Sequence, residues 1–253
     1  MPSLPGNSDD VMLAFAVLSA LGVSMIVWGV AWRAPGIAQA VLIVAALVAG
    51  TAMVPEPGAA AGTFPAWKVL FFVPAGSGIV QNLYPWVIWL VPAGLGVALG
   101  GLLRRYSWKS PHVLILGLGS MLLLAFVIAR LAGASEFGAM SPDAIGWLTV
   151  MKYPPSLFFF VLTIGLDLML LAAFWAWPVR WLAPLEVFGR APFFFYLAHL
   201  WIFGVLSWGF RSGTSLPVMY AVWALTVAAL YPACRWYARF KFAKPVSSVW
   251  RRL

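Results

Sequence analysis

Two ionisable residues lie inside stretches that are otherwise strongly apolar: Asp167 within residues 155–177 and His199 within residues 187–209. A charge at the centre of a membrane helix costs about 2.5–3.5 kcal/mol on insertion scales, so each needs a partner or a task. Each stands about twelve residues, roughly 18 Å at 1.5 Å per residue, from the start of its stretch. Consecutive antiparallel helices would hold them at one depth, where a carboxylate and an imidazole can exchange a proton. On the helical wheel Ser156, Thr163 and Asp167 fall within about 40° of one another, and Pro192, Tyr196 and His199 within about 60°. The chemistry open to such a stripe is general base catalysis or proton relay. A structural reading stands beside it: Thr, Asp and His often hydrogen-bond across helices and simply hold a bundle together.

The remaining candidates sit at the ends of apolar stretches. Lys152-Tyr153-Pro154-Pro155-Ser156 opens 155–177, with Pro155 suited to the first helical turn, where a missing N–H costs nothing. Lys152 is either a snorkelling side chain or a ligand, and the same choice applies to Arg130 at the end of 112–131. Gly96 and Gly100, beside Gly94 and Gly101, predict close helix packing. The lone Cys234 rules out an internal disulfide and a cysteine metal cluster, and no metal site is expected.

The elements that must position these residues follow from hydropathy. Of 253 residues 63% are apolar and 9% charged, too few charges to cover a soluble surface. The apolar stretches approach the roughly 20 residues that cross about 30 Å of hydrocarbon. They lie at 11–32, 37–54, 84–103, 112–131, 155–177, 187–209 and 215–237. The expected fold is thus an all-α, polytopic transmembrane bundle of about seven spans, a single membrane domain over 1–253. Residues 1–10 are an outer tail and 238–253 a basic cytoplasmic tail. The block 67–73, interrupted by Lys68, is too short to cross and is expected to lie at the interface or re-enter. Pro55 and Pro57 flank Glu56 and end the second span ahead of the small-residue loop 58–62. The first stretch lacks a basic n-region and is too long for a signal peptide, so it is a span.

The formal net charge is +9. In a soluble protein this would suggest nucleic acid, but the basic residues fall between apolar blocks and no recognition module is present. They read as topology signals and contacts to anionic lipid headgroups in the bilayer. With the amino terminus on side one, side two holds twelve Lys and Arg: Arg33, Arg104, Arg105, Lys109, Arg180, Arg190, Arg235, Arg239, Lys241, Lys244, Arg251 and Arg252. Side one holds four, Lys68, Arg130, Lys152 and Arg211, together with Asp9, Asp10, Glu56, Glu136 and Asp143. The positive-inside rule puts side two in the cytoplasm and the amino terminus outside.

Several of these segments carry a resemblance. Lys152-Tyr153-Pro154-Pro155-Ser156-Leu157, then Phe188-Gly189-Arg190-Ala191-Pro192-Phe193-Phe194-Phe195-Tyr196-Leu197-Ala198-His199, then Tyr231-Pro232-Ala233-Cys234-Arg235-Trp236-Tyr237 with Lys241, occur in order at span boundaries. Together with Tyr84-Pro85-Trp86 and Arg130, this pattern resembles the bacterial branch of the heparan-α-glucosaminide N-acetyltransferase catalytic-domain family. The resemblance covers about residues 11–245 and is densest over 150–241. It implies an inner-membrane acyltransferase-like protein, with acetyl-CoA as cosubstrate, no permanently bound cofactor, and a sugar or glycan acceptor across the membrane. Under that reading His199 is a candidate base; Asp167 joins it in the catalytic set only through its position inside a span, since no family role carries over to it. Lys152, Tyr153, Arg130 and Tyr196 are acceptor or oxyanion ligands, and Arg104, Arg105 and Lys109 ligands for the coenzyme A phosphates. Two departures stand out: the family's earlier spans, with their Arg-Gly turn and histidine, have no counterpart before residue 11, and Asp167 occupies an uncharged position of the pattern. The expectation is a truncated transferase with little or no acetyl transfer. Two other readings stay open, a proton-coupled transporter or flippase-like carrier using Asp167 and His199, and a non-catalytic membrane subunit; the sequence leaves the oligomeric state undecided.

Overall fold

Proline sets most helix starts in this chain, because it supplies a pre-formed φ where no N–H is required. In the computed structural model, which describes residues 13–54, 64–77, 80–106, 108–135, 144–177, 182–210, 213–248 and 251, the order is β1 (Leu13–Phe15), α1 (Val17–Ala31), α2 (Gly36–Ala52), α3 (Ala66–Phe71), β2 (Ala75–Ser77), β3 (Val80–Asn82), α4 (Trp86–Arg105), α5 (Pro111–Leu131), α6 (Ala144–Leu148), α7 (Leu157–Ala176), α8 (Ala183–Arg190), α9 (Pro192–Ser207) and α10 (Leu216–Phe242). Outside the described residues lie the expected outer tail, the proline pair around Glu56, the loop 58–62, and Asp9, Asp10, Glu136, Asp143, Arg180, Arg211 and Arg252 of the charge count.

Five of the described helices are long and apolar enough to cross a membrane: α4, α5, α7, α9 with its following 3-10 turn, and α10. The other two expected spans are apolar helices of 15 and 17 residues, α1 and α2. α1 is shortened because residues 13–15 enter a strand, and the turn before Pro35 separates it from α2. The sixth span begins at Pro192, later than the expected 187. Proline cannot donate to a carbonyl four residues back. Instead the Ala191 N–H closes a tight turn onto Phe188 O at 3.1 Å, and α8 is a separate amphipathic helix.

The chain forms two compact units, Met1–Ala176 and Trp177–Leu253. In the first, a three-stranded sheet in the order β1-β3-β2 gathers the starts of α1 and α4 at one end, since β1 pairs parallel with β3 and each strand runs into its helix. α1 lies parallel to α4: Trp86 Nε1 donates to Ser19 Oγ at 3.3 Å, Ser24 Oγ to Trp89 O at 3.4 Å, and Trp28 Nε1 to Leu90 O at 3.0 Å. Pro92 lies inside α4, and a proline there loosens the ladder just upstream, so carbonyls of that turn can take outside donors. α2 runs antiparallel to α4, with Gly50 against Ile88 and Ile43 beside Gly94. The core joins Trp28, Ala46, Ile88, Leu90, Val91 and Phe160. α5 and α7 pack antiparallel, and a Cβ on Gly119 would stand 3.0 Å from Gly165 O.

The expected small-residue contact of α4 forms at Gly94 and not at the other three glycines. A Cβ on Gly94 would collide with the Trp28 ring, whereas Gly96, Gly100 and Gly101 meet nothing within 4 Å. The block 67–73 is largely α3, which packs on β2 and β3 with Val69 fully buried.

In the second unit, α10 packs on α8 and α9. The Phe194 and Tyr237 rings stack 4.6 Å apart over Ala191 and Ala238. α10 spans 27 residues and runs helical to Phe242, past the point where a tail was expected.

Candidate functional site

The sheet end of the first unit brings a group of polar side chains together. Asn82 is fully buried; its Nδ2 donates to Leu70 O at 2.9 Å and Val69 O at 3.2 Å, and its Oδ1 accepts the Tyr84 N–H at 2.9 Å. That last bond is an Asx turn, which fixes the residue two positions on. Tyr84 is thereby held at the mouth of α4, with its ring 5.2 Å from Trp89.

From the other side comes the segment before α7. Ser156 Oγ accepts the Phe159 N–H at 2.9 Å and caps the helix. The helix therefore starts at Leu157, and Pro155, expected in the first turn, sits in the preceding turn behind the cis Tyr153–Pro154 bond. The Tyr84 and Tyr153 hydroxyls meet at 2.7 Å, and the Lys152 Nζ lies 5.8 Å from the Tyr84 ring and 5.1 Å from the Tyr153 ring. Two segments 68 residues apart thus make one cluster of an ammonium and two phenols. The Tyr153 hydrogen bond holds Lys152 above its ordinary 10.5, and burial, then the Tyr153 bond, holds the Tyr84 phenol above its ordinary 10.0. Lys152 is therefore cationic and the Tyr84 phenol protonated at neutral pH.

Arg130 lies at this end too, but as a support. It is 3% exposed, lies over Phe158 at 4.6 Å and Phe126 at 5.2 Å, and donates to Thr149 O at 2.5 Å and Ala134 O at 3.3 Å. Its guanidinium ties the end of α5 to the chain leading into Lys152 and Tyr153.

Compared with protein-family models, curated proteins and solved structures, the chain finds no match.

In the second unit Tyr196 and His199 come together, their rings 5.3 Å apart. His199 Nδ1 lies 2.9 Å from Phe195 O. A carbonyl only accepts, so Nδ1 carries a proton, and in the neutral ring Nε2 is then the nitrogen with the lone pair that a general base needs. The ring is stacked on Phe195 and edge-on to Phe203. Asp167 is exposed on α7 and makes no hydrogen bond or ion pair among the described residues, so its own unit provides no polar partner for the expected stripe. Arg104, Arg105 and Lys109 are exposed at the opposite end of α4 from Tyr84, about 30 Å away for a 20-residue helix.

Sequence reasoning named Lys152, Tyr153, Tyr196 and His199, and used Tyr84 only as part of a pattern. It missed Asn82, although an Asn two residues before Tyr-Pro is an Asx-turn signal.

Proposed function

We propose that this chain is a multi-pass membrane acyltransferase-type protein of seven spans, with its amino terminus outside, which binds a polar acceptor at the sheet end of the first unit. The observation that carries the reading is the 2.7 Å contact that joins Tyr84 to Tyr153 beside Lys152. It brings together two of the segments on which the family resemblance rests. An ammonium and two phenols on an accessible rim can hold the hydroxyls of a sugar and donate to an oxyanion.

In acyl transfer the acceptor nitrogen or oxygen attacks the thioester carbonyl, the new C–N or C–O bond forms, and the C–S bond breaks. The acceptor's proton passes to a base and finally to the thiolate. His199 of the second unit is the proposed base: its Nδ1 donates to Phe195 O, which leaves Nε2 as the accepting nitrogen of the neutral ring. Acetyl-CoA is the proposed donor, with Arg104, Arg105 and Lys109 on its phosphates, at the end of α4 away from the acceptor cluster. That separation is what transfer across a membrane requires.

The test measures glucosamine binding and acetyl-CoA consumption by the full chain in nanodiscs. The cluster's own contribution to binding is expected to be flat from pH 6 to 9 and to fail as pH rises past the ordinary lysine and tyrosine values, because both shifts are upward and protect the protonated forms, and any change between pH 6 and 9 belongs to the sugar's amine. Lys152→Met should weaken binding about tenfold. Consumption that requires the amino sugar and disappears in His199→Ala makes His199 the base. Absence of amino-sugar binding, or binding indifferent to Lys152→Met, overturns the reading.

A further inference from the structure

Three arginines of the second unit line one cavity of about 370 Å³. Arg235, Ala238, Arg239 and Phe242 recur at i, i+3, i+4 and i+7 and form one face of α10, while Val187 and Arg190 come from α8 at i and i+3. Charge at a cytoplasmic helix end is ordinarily a topology signal. Here it is organised: arginines from two helices line one cavity together with the apolar Val187, Ala238 and Phe242. Like charges at i and i+4 repel, so Arg235 beside Arg239 is unfavourable until an anion is placed between them. Glu186, the only acid in this unit, pairs with Arg190 at 2.9 Å, and among the described residues neither Arg235 nor Arg239 has an acidic partner. The depth is informative too. α10 is 27 residues, about 40 Å at 1.5 Å per residue, against about 30 Å of hydrocarbon. With Leu216 at the outer boundary, Arg235 and the residues after it reach headgroup level.

We infer that this cavity binds a phosphate ester, the arginines on its oxygens and the apolar side chains against its carbon chain. Two sources share that chemistry, the headgroup of an anionic phospholipid and a soluble phosphate compound; the depth favours the lipid. Arginine suits either, because its planar fork meets two phosphate oxygens at once. The site lies apart from Arg104, Arg105 and Lys109, and does not depend on the acyl-transfer reading, since lipid retention is measured without acceptor or acyl donor.

The experiment uses the full chain in nanodiscs. One arm mixes phosphatidylglycerol with phosphatidylcholine and reads retained lipid by native mass spectrometry. The other uses phosphatidylcholine alone and reads coenzyme A binding by calorimetry. The Arg235→Gln/Arg239→Gln variant is expected to lose about tenfold in phosphatidylglycerol retention, whereas Arg33→Gln, which removes a cation from the other unit, leaves it unchanged. Glu186→Gln releases Arg190 and should raise retention about two- to threefold, a gain that a misfolded protein could not produce. If the double variant loses coenzyme A binding and keeps the lipid, the site belongs to a soluble phosphate compound. Equal retention of both ligands by wild type and double variant, or binding of neither by wild type, overturns the inference.

Discussion

Arg130 is a permanent charge with 3% of its surface exposed, and it is tolerated because two aromatic rings lie against its guanidinium and two carbonyls accept from it. Charge-assisted hydrogen bonds are worth about 1.5–3 kcal/mol each and a desolvated cation-π contact about 2, so Arg130→Ala is expected to cost at least about 3 kcal/mol in denaturant unfolding in detergent. Arg130→Lys should recover less than half, because a point ammonium cannot reach both Thr149 O and Ala134 O while keeping both ring contacts. A loss below about 1 kcal/mol would mean that those carbonyls find other donors. At this scale the sequence revealed which side chains were unusual but not what they touch. Arg130 was legible as the end of a span; its partner nineteen residues on is a backbone carbonyl, which leaves no mark in a sequence. The His199 tautomer was hidden for the same reason, since it depends on a carbonyl one helical turn back.

Helix existence was largely legible, because Pro35, Pro85, Pro111, Pro192 and Pro217 each stand at or just before the first turn of a helix. The failures were of face and boundary. Ser156 moved the start of α7 by capping it, and a serine side chain can outbid a proline only when its oxygen reaches the N–H three residues on. On α4, four glycines within eight residues look equivalent, yet one residue along a helix is a rotation of about 100°, so the sequence does not say which of them faces a neighbour. The structure assigns that contact to Gly94, where the Trp28 ring passes on its way to Leu90 O. Gly94→Ala is therefore expected to destabilise by about 1–3 kcal/mol through overpacking. Gly96→Ala, open on all sides, should be neutral or stabilise by up to about 1 kcal/mol through helix propensity. Thermal melts of the two variants side by side make the comparison; equal losses would place the helix contact elsewhere.

For the molecule as a whole, five or seven spans is a question about one hairpin. α1 and α2 cross together or not at all, so every later helix keeps its direction either way and Arg33 is the only basic residue that changes side. Composition could not decide this, because a helix of 15 residues is about 22 Å long, short of about 30 Å of hydrocarbon. Packing favours crossing. Trp28 is level with Leu90 to Gly94 as α1 descends, and Ile43 is level with Gly94 as α2 returns. Eight residues separate Ile43 from Pro35, about 12 Å of further depth, which carries the turn at 32–35 towards the Arg104–Arg105 end of α4. The turn is finished for that position: Gln39 Nε2 donates to the carbonyls of Ala34 at 3.0 Å and Trp32 at 3.1 Å. Cys234 is buried, so a Cys234→Ser background lets a single reporter thiol be placed there. Ala34→Cys in that background is expected to resist a membrane-impermeant maleimide in intact cells and to react in inverted vesicles, as seven spans require. Labelling of intact cells at Ala34→Cys, with a carboxyl-terminal reporter still cytoplasmic, would leave α1 and α2 as a hairpin dipping from the outer face and the chain with five spans.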